Sequence, residues 1–94
     1  MTASMFARHQ VNDFASWKKV YNEVAPLREA GGVIAASVHR DANDPNTVVV
    51  YHQFTDLSAL EAWTTTMNEE EFQSALAKAG VKPETLQVWL GEDV

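Results

Sequence analysis

Apolar and polar positions change period several times along the chain, and each change marks an element. From Ser4 to Val11 they take turns without Gly or Pro, and the aromatic and β-branched members suit a strand. Phe14, Trp17, Val20, Tyr21 and Val24 then recur at steps of three and four, which is one stripe of a helix, while Lys18, Lys19 and Glu23 point away from it. Asn12 or Asp13 supplies a short side-chain oxygen to cap that helix. Pro26 disfavours helical geometry at Ala25, so a break is predicted there, with a last turn running to Gly31-Gly32.

Val33 to Arg40 and Thr47 to Phe54 read as two strands, and the six turn formers Asp41 to Asn46 make them a hairpin. Asp56 or Ser58 starts the next helix, with Glu61 three residues after Ser58 as in a capping box. Leu57, Leu60, Trp63 and Met67 form its stripe. A second helical piece is predicted from about Asn68, carrying Phe72, Ala75, Leu76 and Ala79 before Gly80 stops it. Leu86 to Leu90 is the last strand. The order βαββαβ, with no repeat and no linker, predicts one α+β domain over residues 1–94: a ferredoxin-like, four-stranded antiparallel sheet with helices on one face.

Within Thr47 to Phe54 the apolar residues occupy both parities, as in a strand covered on both faces. Right-handed crossovers put both helical connections on the same side of the sheet and leave the other side bare. A bare apolar face of that size predicts a second copy of the chain, a homodimer.

Composition narrows the partners. The 94 residues are 46% hydrophobic and 21% charged, an ordinary globular balance. The net charge is −6, and the seven Lys and Arg, scattered from Arg8 to Lys82, make no basic stripe, so no nucleic-acid partner is expected. No apolar run approaches the roughly 20 residues that span a bilayer, and the acidity disfavours an anionic membrane surface. Met1 to Ala7 lacks a basic start and a long apolar stretch, so cytoplasmic residence is expected. Zero cysteines leave no disulfide, thiolate metal site or thiol nucleophile.

The three histidines, His9, His39 and His52, all fall in predicted strands, and imidazole suits a general base near neutral pH. With a six-residue hairpin loop, Arg40 pairs with Thr47, His39 with Val48 and Ala35 with His52. His39 and His52 then share a face but stand about 13 Å apart along the strands, at about 3.3 Å per residue, too far to bind one metal. Tyr51 and His52 are adjacent on a strand and point to opposite faces. Trp17 reads as a core residue, Trp89 can lie on either face, and Asn68-Glu69-Glu70-Glu71 reads as a solvated helix start. No serine has a Gly-x-Ser-x-Gly context, and Gly31-Gly32 lacks the spacing of a phosphate loop.

The order of elements, and above all Leu60-Glu61-Ala62-Trp63 followed by Phe72-Gln73-Ser74-Ala75-Leu76, resembles the antibiotic biosynthesis monooxygenase family of dimeric α+β barrels, over nearly the whole chain. The resemblance implies a pocket between helices and sheet in each protomer, with two sheets stacked at a dimer interface. Trp63 stands where the oxygenase and haem-degrading branches have a pocket tryptophan. The haem branch also expects a histidine in an FxxxH position, which here is Leu76, and an asparagine on the first strand, where Ser4 to Val11 have none and Asn12 lies just past the end. Haem is therefore not expected, nor any other cofactor. In the resembled fold the first and third strands are neighbours, which brings His9 towards His52. The resulting expectation is a cofactor-independent monooxygenase or polyketide-type cyclase acting on a small apolar carbonyl or phenolic metabolite. His9 and His52 are its candidate catalytic bases, and Trp63, Tyr51, His39 and Arg8 its candidate substrate contacts, with Gln10 as a further polar donor. The alternative is a non-catalytic dimeric module that binds or carries an apolar metabolite, in which the histidines serve hydrogen-bond networks of the core or interface.

Overall fold

The computed structural model describes residues 1–94. Four antiparallel strands, β1 (Ala3–Gln10), β2 (Val33–Arg40), β3 (Thr47–Phe54) and β4 (Gln87–Glu92), lie in the order β2-β3-β1-β4. The helices α1 (Phe14–Glu23), α2 (Ala25–Ala30), α3 (Leu57–Met67) and α4 (Glu70–Lys78) complete the ferredoxin-like α+β fold, and a short 3-10 turn (Pro83–Thr85) leads into β4.

Caps and breaks set the helix limits. Asp13 caps α1 by accepting from the Ser16 N–H at 2.9 Å, and Asp56 caps α3 by accepting from the Ala59 N–H at 2.8 Å. Ser58 therefore lies inside α3, and the capping box expected between Ser58 and Glu61 does not form. The break before Pro26 separates α1 from α2 as predicted. Asn68 closes α3 and Glu69 precedes α4, so the second helical piece starts slightly later than its polar run suggests. Gly80, at φ +78°, ends α4 in a conformation that glycine adopts without strain. The last strand begins one residue after Leu86 and runs on to Glu92.

The sheet has two unlike faces. Met5, Ala7 and His9 of β1 and Val48, Val50, His52 and Phe54 of β3 are buried on the helical side. Trp17 from α1 and Leu60 and Trp63 from α3 pack over them. Val49, Tyr51 and Gln53 on the other side of β3 are half-buried, while Phe6 and Trp89 beside them are 45% and 53% exposed. At one end of this open face Asp93 accepts from Ser4 Oγ at 2.5 Å, from Gln53 Nε2 at 3.3 Å and from Thr2 Oγ1, which fastens the chain's end to the sheet.

The hairpin register corrects one expectation. The Asp41 N–H donates to the Thr47 carbonyl at 2.9 Å, while the Asp41 carboxylate accepts from the Asn43 and Asp44 N–H groups. The pairing moves by one residue, so Arg40 faces Val48, His39 faces Val49 and Ala36 faces His52. A one-residue shift turns a side chain to the other face, and His39 stands on the side of the sheet opposite His52.

Candidate functional site

A cavity of about 300 Å³ lies between the helices and the sheet. His9 and His52 rise into its walls from β1 and β3, Trp17 and Tyr21 from α1, Arg28 from α2 and Trp63 from α3. The rest of the lining is largely apolar.

The polar groups gather at His52. Its Nε2 is 3.0 Å from the Tyr21 hydroxyl. The Arg28 guanidinium lies over the Tyr21 ring, 3.6 Å from the centroid, and its Nη1 donates to the Tyr21 carbonyl at 2.6 Å. Trp17 stacks on Tyr21 at 4.9 Å between centroids, and Trp63 meets His52 edge-on at 6.3 Å. Burial, with a smaller contribution from the Arg28 charge, pushes the His52 pKa down to about 4, so the ring is neutral at pH 7. Burial raises the Tyr21 pKa against the pull of Arg28, which keeps the phenol protonated. His9 is lowered by burial alone.

Four buried polar atoms here meet no partner in the protein: both ring nitrogens of His9, Nδ1 of His52 and Nε1 of Trp63. Each such atom costs about 1–3 kcal/mol relative to a satisfied one.

His9, His52 and Trp63 thus border one cavity. The two histidines do not form a pair: Met5 is opposite His52 and His9 opposite Val48, so four residues, about 13 Å along the strand, separate their levels. His9 instead sits beside Trp17, 5.6 Å between ring centroids. Tyr51, His39 and Arg8 fall on the open face, away from this cavity, and the expectation that they line it with Trp63 is corrected for the same reason of strand parity. Gln10 also points to the open side of β1. Tyr21 and Arg28 were not foreseen as site residues. Their signal is the spacing Phe14, Tyr21, Arg28, two steps of seven that keep one helical face, obscured by the break at Pro26.

Residues 12–79 match the family model of antibiotic biosynthesis monooxygenase, and the chain belongs to that family. No curated protein matches the sequence. Among solved structures, a candidate antibiotic biosynthesis monooxygenase from Bordetella bronchiseptica is similar at TM-score 0.76 and 15% identity, covering 99% of this chain and 97% of that one. SnoaB from Streptomyces nogalater, described as a cofactor-independent oxygenase, is similar at TM-score 0.66 and 15% identity, covering 99% and 91%. A dimeric ferredoxin-like protein from an uncultured marine organism is similar at TM-score 0.67 and 12% identity, covering 99% and 95%. At such identities the likeness shows the fold.

Proposed function

We propose that this protein is a cofactor-independent oxygenase, or a cyclase using the same first step, that acts in the helix-side cavity on an apolar carbonyl or phenolic metabolite and works as a homodimer. The observation that carries the reading is the set of unpartnered nitrogens on His52, Trp63 and His9 around a largely apolar cavity. Carbonyl and hydroxyl groups on a ligand satisfy such donors and acceptors, and an apolar body fills the remaining space. The dimer is supported by the exposure of Phe6 and Trp89 on the open face and by the dimeric description of one structural neighbour.

In the proposed mechanism the neutral His52 accepts at Nδ1 a proton from a CH₂ carbon next to the carbonyl, while its Nε2–H donates to the Tyr21 oxygen. The pair of electrons left on the substrate is delocalised onto the carbonyl oxygen. Dioxygen takes up this carbanion to form a C–O bond, and the proton held at His52 Nδ1 returns to the peroxide to give C–OOH. For a CH₂ substrate, loss of the remaining C–H proton with cleavage of the O–O bond releases water and leaves a new C=O. The substrate supplies all four electrons, so no outside reductant is needed. Where an internal carbonyl traps the carbanion instead, a ring closes.

One feature of His52 favours a second reading. A base works best when its pKa is near the working pH, and His52 lies well below that. A carrier needs no base, only the cavity and its hydrogen-bonding groups.

Oxygen uptake with 2-tetralone, a two-ring ketone with an activated CH₂, separates the readings. The oxygenase consumes dioxygen without added cofactor, and His52→Asn lowers kcat by about 10²–10⁴-fold. Binding of the ketone with no uptake above the buffer rate, in wild type and variant alike, rejects the oxygenase and leaves the cyclase and the carrier.

A further inference from the structure

We infer that the cavity takes its ligand as an organic anion, with the ionised oxygen held by Arg28. This inference rests on the reading of the cavity as a ligand site. Arg28 is 9% exposed, a rare position for a guanidinium without a carboxylate partner. The protein's two ion pairs, Arg8 with Asp41 and Lys78 with Glu23, both lie elsewhere. Only Nη1 of Arg28 is engaged by a protein acceptor, the Tyr21 carbonyl; Nε and Nη2 donate to nothing in the chain. The ring of Tyr21 under the guanidinium offsets part of the cost of burial without neutralising the charge.

The position of Arg28 decides where its unused donors find an anion. It forms a wall between the main cavity and a shallow groove over α2 and β2, and Glu29 already contributes a negative charge to the groove. The cavity side carries no carboxylate. There Arg28, the Tyr21 hydroxyl and His52 stand together, a cation beside two neutral hydrogen-bonding groups, and no other residue of the lining is a Lys, Arg, Asp or Glu. A ligand with an apolar body and one ionised oxygen, either a carboxylate or an ionised enol, matches this polarity. A net charge of −6 on the whole chain does not attract anions from a distance, so recognition falls to this buried contact.

Two probe pairs of matched shape test the inference through quenching of the cavity tryptophans. The first sets 2-naphthoate against neutral 2-acetylnaphthalene, and the second sets 2-hydroxy-1,4-naphthoquinone, an ionised enol at pH 7, against its methyl ether. Wild type should prefer the anion of at least one pair by tenfold or more, and the preferred pair identifies the carboxylate or the enol as the natural group. Arg28→Met should abolish the preference while the neutral probe still binds, and Arg28→Lys should retain part of it. If Arg28→Met fails to fold, the wild-type preference and its reduction in Arg28→Lys decide the matter. Equal affinity for anion and neutral probe in wild type overturns the inference and leaves the cavity reading standing. Failure of all four probes to bind wild type at millimolar concentration overturns both.

Discussion

The two faces of the sheet treat polar groups in opposite ways. On the open face, where water is at hand, the chain spends hydrogen bonds freely: Asp93 gathers Ser4, Thr2 and Gln53, and Ser4 also approaches the Tyr51 hydroxyl. On the covered face, where an unmet hydrogen bond is costly, His9, His52 and Trp63 keep nitrogens without partners. Stability alone would fill that interior with apolar side chains or complete its networks. Interior groups that break this rule belong to function more often than to folding. The open face shows a different excess, of exposed Phe6 and Trp89, which supports the proposed second copy there.

Trp63 gives the sharpest contrast between the faces. It is 1% exposed and touches the rings of His52, Phe54 and Phe72, so Trp63→Ala should cost about 3–5 kcal/mol in urea denaturation. A loss below about 1 kcal/mol would mean that the covered face is not a packed core at this point.

His52 comes next. Its folded pKa of about 4 lies below the ordinary 6.5, so between these values the unfolded chain binds the extra proton and folding weakens as pH falls. The stabilising neutral state is fully present above about pH 6.5, and the loss is complete below about pH 4, amounting to on the order of 3 kcal/mol. Denaturation midpoints measured across this window should show the slope, and His52→Asn should remove most of it. His9 adds a slope of the same sign.

Gly31 tests how closely α2 approaches the site. A Cβ there would lie 2.5 Å from Trp63 Cε3, so Gly31→Ala should destabilise by about 1–3 kcal/mol. The same substitution made with Trp63→Leu should cost less, because the clash is then relieved, and a thermodynamic cycle of the two measures the difference.

The smallest change in chain stability is expected on the open face. Trp89→Glu should alter the unfolding of the single chain by no more than about 0.5 kcal/mol. In light scattering, however, it should shift the proposed dimer towards monomer. An unchanged dimer mass would place the contact on another surface.

Much of this fold is legible in the sequence. Thr47 to Phe54 announces β3 through its β-branched run, and Gly80 and Pro26 mark helix ends because their backbones admit few alternatives. The hairpin register is less so, since it depends on whether Asp41 spends its N–H on the strand and its carboxylate on the turn, a choice among several turn formers. That single residue decides the face of His39. In the site, Trp63 can be read from its motif and His52 from its chemistry. Arg28 cannot, because its meaning depends on a missing carboxylate partner, which is a fact of three-dimensional surroundings and not of spacing.

Native mass spectrometry of the purified chain with 2-tetralone tests the assignment of the two faces most directly, since it reads assembly and occupancy together. The predicted species is a dimer of two 10.4 kDa chains carrying one ketone in each. A monomer without ligand would contradict both the covered open face and the cavity site.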